Sequence, residues 1–139
     1  MGILKSFAAA ALAFAVMAPA AFADSCWWHN GSLMRLKDQG NQRWIYYETP
    51  KQSLWNAGVQ HGTLLFNGTN NNDYYSGNAR VFSSSCVGSP LEYWVEGPVV
   101  RSNNTLSIRM EGDREKYRNC YGTGQWTHDV LIFTFAYAC

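Results

Sequence analysis

Apolar and polar residues alternate with a period of two along most of the chain from residue 32 onward, which is typical of strands that bury one face. The pattern predicts seven strands, at 32–37, 43–48, 63–67, 74–83, 91–100, 106–111 and 130–138. A segment around Trp27 and Trp28 supplies an eighth strand if it pairs early. The last predicted strand carries apolar residues on both faces, so we expect both of its faces to be covered.

No segment has the periodicity of an amphipathic helix, and only 51–57, between Pro50 and Gly58, is compatible with a helical turn. The sequence therefore predicts an all-β fold, a small antiparallel meander barrel in which closure hides the strand edges. A two-sheet sandwich is the alternative. The predicted core consists of Met34, Leu36, Leu64, Phe66, Val81, Tyr93, Leu106, Ile108, Phe133 and Phe135.

The first 23 residues have the features of a secretory signal. Lys5 is the only charge before the apolar run 7–19, and Ala21-Phe22-Ala23 has the small-x-small pattern of a cleavage site. A membrane anchor is the alternative, but the run is shorter than the roughly 20 residues that span a bilayer. We therefore expect a signal peptide at 1–23, a single β-barrel domain at 24–139 with no membrane span after cleavage, and a periplasmic or secreted protein.

Cysteine positions favour one of three possible disulfide pairings. Cys26 opens the first strand and Cys139 closes the last, and these ends lie side by side if an even number of strands closes into a barrel. The prediction is Cys26–Cys139, with Cys86–Cys120 nested inside it. A metal site is the alternative, but the chain has no Cys-x-x-Cys pair and the expected compartment is oxidising. No cofactor is expected.

Charge balance argues against some partners. The part that remains after residue 23 has ten basic and ten acidic residues, because Lys5 is removed with the signal. Nothing in this balance indicates nucleic acid or an anionic membrane as a partner.

Three Asn-x-Ser/Thr sequences begin at Asn30, Asn67 and Asn103, and each is a formal glycosylation acceptor. Asn-Gly is also a hairpin-turn signal, and the Ala-rich signal segment is typical of bacteria, so the turn interpretation is preferred. On this interpretation Asn67 begins a polar loop that ends at Asp73.

Two predicted connections, 49–62 and 112–129, are long enough to suggest a function. The second is the candidate binding surface, because cations beside aromatic rings can hold an acidic group, a sugar or a partner's side chain. Its candidate binding residues are Arg114, Lys116, Tyr117, Arg118, Tyr121 and Trp126. The alternative is a solvated loop in which Asp113 and Glu115 neutralise the cations.

Catalysis has little support in the sequence. His29, His61 and His128 lie near predicted strand ends and could converge on one rim of a barrel. Asp129 follows His128 directly, but adjacent residues of an extended chain point to opposite faces. No Gly-x-Ser-x-Gly, His-Glu-x-x-His or Ser-x-x-Lys motif is present. The protein is therefore not predicted to be an enzyme.

The segment 26–36, Cys-Trp-Trp-His-Asn-Gly-Ser-Leu-Met-Arg-Leu, resembles the opening of small secreted proteins of Gram-negative bacteria to which no activity is assigned. The segments 62–68 and 75–82 are similar to later parts of the same proteins. In size, disulfides and strand content the chain is also similar to the periplasmic barrels that inhibit lysozymes, although no motif carries a site over.

Three functions compete at this point. The first is a secreted or periplasmic non-catalytic protein that binds an unknown envelope or extracellular ligand or protein. The second is an inhibitor of a secreted hydrolase such as a lysozyme, and the third is a small hydrolase that uses a histidine. Secretion, bonded cysteines and the missing nucleophile motifs favour the first two.

Overall fold

The computed structural model describes residues 23–139, so the expected signal at 1–23 lies outside the described residues except for Ala23. Residues 23–139 form eight strands and one short 3₁₀ helix. The strands are β1 (Ala23–His29), β2 (Ser32–Gln39), β3 (Gln42–Thr49), β4 (Leu64–Asn71), β5 (Tyr74–Ser83), β6 (Cys86–Ser102), β7 (Thr105–Arg118) and β8 (Tyr121–Ala138), and the 3₁₀ helix is Gln52–Ala57. Within 23–139, no helix has the length and apolar character needed to cross a membrane.

Each strand pairs antiparallel with the next, and β1 pairs with β8, so the sheet closes into a barrel. The predicted meander barrel is thereby confirmed over the two-sheet sandwich. The conditional eighth strand around Trp27 is β1, and it supplies the edge that β8 needs for closure. Both predicted disulfides are also confirmed, with Cα–Cα distances of 5.7 Å for Cys26–Cys139 and 5.1 Å for Cys86–Cys120.

Side chains fill the barrel interior. Met34, Phe66, Met110 and Phe133 are all 0% exposed. Of the ten predicted core residues, five are buried and Tyr93 and Leu106 pack against the core as partly buried residues. The five buried residues are Met34, Leu36, Phe66, Ile108 and Phe133.

The predicted core residues are wrong at positions near a bulge or near the end of a strand. Leu64 is only half-buried and Leu65 is buried instead, because the register shifts between Ile45 and Tyr46. A similar shift in the β1–β8 pairing leaves Phe135 40% exposed. Val81 is only partly buried, near the shift that precedes the end of β5. One extra residue reverses which side chains face inward.

The expectation that β8 is covered on both faces is also wrong. Val130 and Ile132 are 40% and 47% exposed on its outer face. The inner face of β8 is buried by the barrel, and no layer of structure among residues 23–139 covers the outer one.

The first long connection, at 49–62, covers one end of the barrel. It contains the 3₁₀ helix, which confirms the helical turn predicted at 51–57. Val59 is 1% exposed and belongs to the core, and Leu54 packs against the core. Gly58 ends the helix with φ +83°, and a Cβ there would lie 2.7 Å from Cγ1 of Val87. The connection is therefore a packed cap on the barrel.

The second predicted connection, at 112–129, is wrong. β7 and β8 continue through it as a hairpin, and the turn is confined to Asn119 and Cys120, with φ of +51° and +68°. Period-two alternation of apolar residues is missing here because neither face of this segment enters the core. The pairing of Asp113 with His128 and of Arg114 with Thr127 instead defines the strands.

The Asn-x-Ser/Thr sequences differ in structure. Asn30 and Asn103 lie in the β1–β2 and β6–β7 turns with positive φ, as the turn interpretation predicts. Asn67 lies inside β4, so the prediction that it begins a loop is wrong. The turn comes five residues later, at Asn72 and Asp73, which have φ of +53° and +61°.

Candidate functional site

The distal hairpin, defined here as residues 112–129, continues β7 and β8 beyond the last pair that β6 and β7 form, Glu96 with Glu111. Among residues 23–139, those from 113 onward pair only across the hairpin, as Glu115 does with Trp126. Both outer edges of the hairpin therefore lack a third strand, and several of its side chains are exposed to a ligand.

Three links hold the tip of the distal hairpin against the start of β6. The Cys86–Cys120 disulfide is the first. The backbone N–H of Asn119 donates to Oγ of Ser85 at 3.1 Å, and the hydroxyl of Tyr117 donates to the carbonyl oxygen of Ser89. A two-stranded ribbon alone is marginally stable in water, so these links explain how the hairpin keeps a defined shape outside the barrel.

Arg114 lies on the opposite face of the distal hairpin from the carboxylates of Asp113 and Glu115. Arg114 is opposite Thr127, whereas Asp113 and Glu115 are opposite His128 and Trp126. Side chains directly opposite each other in an antiparallel pair share a face, and neighbours along a strand do not. The carboxylates of Asp113 and Glu115 therefore point away from Arg114.

The cation-bearing face forms a depression of about 640 Å³, which we call the cationic groove. It is lined by Arg114, Lys116, Tyr117, Arg118, Thr123, Gln125 and Thr127. Within residues 23–139, the side chains of Lys116 and Arg118 have no hydrogen-bond or ion-pair partner. Because both are also exposed, the groove has positive charge available to a ligand.

Arg114 is held at the inner end of the groove. Its Nε pairs with Oδ2 of Asp129, which also accepts a hydrogen bond of 2.9 Å from the Tyr93 hydroxyl. Burial, followed by this hydrogen bond to a carboxylate, raises the pKa of Tyr93 far above its ordinary value. Tyr93 therefore stays protonated and positions Asp129, and Arg114 is neutralised where Lys116 and Arg118 are not.

Four of the six predicted binding residues meet in the groove: Arg114, Lys116, Tyr117 and Arg118. Tyr121 and Trp126 do not line it and are 76% and 66% exposed. The groove also contains polar residues of the facing strand that were not predicted: Thr123, Gln125 and Thr127. Threonine and glutamine do not by themselves indicate a binding site. These three residues could be identified only from the register of the hairpin. The binding role of all these residues stays a prediction.

The three histidines have separate surroundings. His29 is buried, its ring stacks on Phe133 at 4.3 Å between centroids, and its Nδ1–H donates to the carbonyl oxygen of Ile132 at 2.9 Å. Burial lowers the pKa of His29. His61 donates to the carbonyl oxygen of Glu48 at 2.8 Å. These contacts account for both rings as structural groups.

His128 lies on the acidic face of the distal hairpin. Its Nδ1 is 2.7 Å from Oδ1 of Asp113, and Nε2 is 3.7 Å from Glu111. The hydrogen bond to Asp113 raises the pKa of His128. Its carboxylate partner is therefore Asp113 across the hairpin, not the adjacent Asp129. Within residues 23–139, no group of three or more His, Cys, Asp or Glu residues is arranged to hold a metal ion.

Comparisons with known proteins bear on the fold of this chain and not on its function. No protein-family model and no curated protein matches the sequence. Among solved structures, apo short afifavidin is similar, with a TM-score of 0.52 over 82% of this chain and 96% of that one, at 14% sequence identity. At this identity the likeness is one of fold, and it places this chain among barrels of the same general architecture.

Proposed function

We propose that the protein is a non-catalytic binding protein that acts outside the cytoplasm and holds an acidic ligand in the cationic groove. One observation carries the proposal: among residues 23–139, the side chains of Lys116 and Arg118 have no hydrogen-bond or ion-pair partner, and both line a groove on a tethered hairpin. An anionic group that meets these cations gains charge-assisted hydrogen bonds without breaking an existing ion pair.

Rigidity of the hairpin supports binding as well as charge does. The disulfide and the two hydrogen bonds at the tip order the groove before a ligand arrives. A ligand then does not have to restrict the backbone, which is a large part of the free-energy cost of association. The threonine hydroxyls and the Gln125 amide opposite the cations can donate to or accept from the same ligand.

Location outside the cytoplasm rests on two features. All four cysteines are in disulfides, which persist in oxidising compartments, and residues 1–23 have the pattern of a cleaved signal. An envelope or extracellular ligand follows from this location. The resemblance to small secreted proteins of Gram-negative bacteria agrees with it.

A second function is favoured by the tip of the distal hairpin. Tyr121 and Trp126 are large, mostly exposed aromatic residues on a segment that projects from the barrel. Exposed aromatic anchors on a rigid projection are suited to fill a partner's cleft. Inhibition of a secreted hydrolase such as a lysozyme is therefore the alternative proposal, with the tip in the partner's active site.

A small molecule inside the barrel is a less favoured site. The word apo in the name of short afifavidin implies that afifavidin has a ligand-bound form. In this chain Met34, Phe66, Met110 and Phe133 occupy the interior, and Val59 of the 49–62 connection closes one end. Room for a ligand there would require displacement of core side chains.

Binding to immobilised polyglutamate tests the proposal with the chain 24–139. The variant Lys116→Ala/Arg118→Ala should lose binding, and wild-type binding should weaken as salt rises because exposed charges are screened. Lys51→Ala/Arg101→Ala is the matched control, since it removes the same charge from exposed positions outside the groove. Equal binding by both double variants would refute the groove as the site.

Affinity capture from periplasm or culture medium with the same three proteins then identifies the natural ligand. For the inhibitor alternative, the activity of an added lysozyme is measured with wild type and with Tyr121→Ala/Trp126→Ala. Inhibition that depends on these two aromatic residues and not on Lys116 and Arg118 would favour the alternative over the groove.

A further inference from the structure

A second depression lies on the opposite side of the barrel from the distal hairpin. It is on the outer face of β2 and β3, has a volume of about 290 Å³ and is lined by Lys37, Gln39, Trp44 and Tyr46. We call it the aromatic trough. Because β3 and β7 are four strands apart in a ring of eight, this depression shares nothing with the cationic groove.

Two aromatic side chains form the floor of the trough. Trp44 and Tyr46 are two residues apart on β3, so both point outward and their Cα atoms are separated by roughly 7 Å. Ile45 and Tyr47, which alternate with them, are buried in the core. The buried neighbours fix the strand, and they thereby fix the spacing and direction of the two rings.

The trough continues into a larger depression of about 480 Å³, which shares Lys37 and Tyr46 with it. Here Arg35 donates to Asp24 at 2.7 Å and to both carboxylate oxygens of Glu48 at 2.8 and 3.0 Å. Hydrogen bonding to Arg35 lowers the pKa of Glu48, so Glu48 stays ionised near neutral pH.

Side-chain charge in the two connected depressions is balanced. Arg35 and Lys37 face two carboxylates, and Nζ of Lys37 lies 5.6 Å from the centroid of the Tyr46 ring. A strongly anionic ligand would meet Asp24 and Glu48, and a purely apolar one would bury ionised groups without hydrogen bonds, which is costly. The surface therefore suits a ligand that is uncharged and rich in hydroxyl groups.

We propose that the aromatic trough and the depression beside it bind an uncharged oligosaccharide. The C–H faces of sugar rings pack on Trp44 and Tyr46, and the sugar hydroxyls bond to Gln39, Lys37 and the Asp24–Arg35–Glu48 network. Two connected depressions along one strand accommodate more than one sugar unit. This site is independent of the proposed acidic ligand, because the chemistry and the location of the two sites differ.

The test is titration of ¹⁵N-labelled chain 24–139 with uncharged oligosaccharides of three kinds: cellotetraose, maltotetraose and a tetramer of N-acetylglucosamine. The indole N–H resonance of Trp44 should shift with at least one of them at millimolar concentration. Trp44→Ala should weaken that binding about tenfold or more, and Trp44→Phe should weaken it less because an aromatic face remains.

Two variants serve as controls. Trp94→Ala removes an indole that is 55% exposed on β6, outside the trough, and it should bind the sugar as wild type does. Lys116→Ala/Arg118→Ala should also leave sugar binding unchanged, so that failure of the cationic groove is distinguished from failure of the trough. No shift of the Trp44 resonance with any of the three sugars, or equal binding by Trp44→Ala and wild type, overturns the proposal.

Discussion

The two disulfides offer a matched pair of perturbations with different expected costs. Each joins one buried cysteine to one exposed cysteine: Cys26 and Cys86 are 1% and 5% exposed, whereas Cys139 and Cys120 are exposed. Replacement of the buried cysteine by Ala and the exposed one by Ser therefore removes similar packing in both cases. What differs is the length of chain that each bridge closes, 113 residues against 34.

Loop length sets the expected magnitude. In the chain-entropy account, closing 113 residues stabilises the folded state by about 5 kcal/mol and closing 34 residues by about 4 kcal/mol. Loss of Cys26–Cys139 should thus lower the free energy of unfolding by about 1 kcal/mol more than loss of Cys86–Cys120. Cys26–Cys139 also fastens the β1–β8 seam that closes the barrel, which acts in the same direction.

Urea denaturation of the two double variants and wild type measures this difference. Variants are preferable to reduction, because partial reduction during the transition breaks two-state behaviour. An equal or larger loss for the Cys86–Cys120 variant would refute the reasoning and would show that the hairpin tether, not loop closure, dominates stability.

Three other changes test the core, a titration and a close backbone contact. Phe133→Ala removes a fully buried ring that stacks on His29 and should cost about 3–5 kcal/mol in thermal or urea unfolding; a loss below 1 kcal/mol would contradict the packing described here. Because the pKa of His29 is lowered from 6.5 by burial, the unfolded chain takes up its proton first, so stability should fall as pH drops below about 6.5. His29→Phe should remove that part of the pH dependence. If the pH profile of the melting temperature is the same in the variant as in wild type, His29 is not its source. Gly97→Ala places a Cβ 1.8 Å from the carbonyl oxygen of Arg109, so β6 and β7 must separate and the loss should be about 1–3 kcal/mol or more; wild-type stability by urea denaturation would show that the strands adjust freely.

The predictions that held have a local physical cause. Met34 and Leu36 are buried and their neighbours along β2 are not, because successive side chains of a strand alternate between faces. The disulfide prediction succeeded for a similar reason: once the strands form an even-numbered closed meander, Cys26 and Cys139 lie at adjacent ends.

The predictions that failed depend on where one strand stops, shifts or continues. Leu64 and Phe135 were misplaced because a bulge changes the inward set without changing the alternation of residue types. The sequence predicts a loop in place of the distal hairpin because neither of its faces carries the alternating apolar residues of a core strand. Its backbone hydrogen bonds, which no hydrophobic pattern reports, make it a pair of strands.

The aromatic trough was not predicted at all. Trp44 and Tyr46 lie in a strand that the sequence predicts. The polar part of the site, however, is formed by Asp24, Arg35 and Glu48 on three neighbouring strands. Their separations along the chain are set by the β1–β2 and β2–β3 turns. No spacing rule relates such residues before the register is known.

For this protein, then, the sequence by itself determined the all-β class, the strand positions within the core and the pairing of the cysteines, because burial on one face of a strand leaves a period-two record in residue type. Only the tertiary structure decided that Arg114 lies on the opposite face of a tethered hairpin from Asp113 and Glu115, and that cations and carboxylates meet in balanced numbers on β1, β2 and β3. Register and bulges control these arrangements, and they depend on the closing of the whole barrel rather than on any single segment.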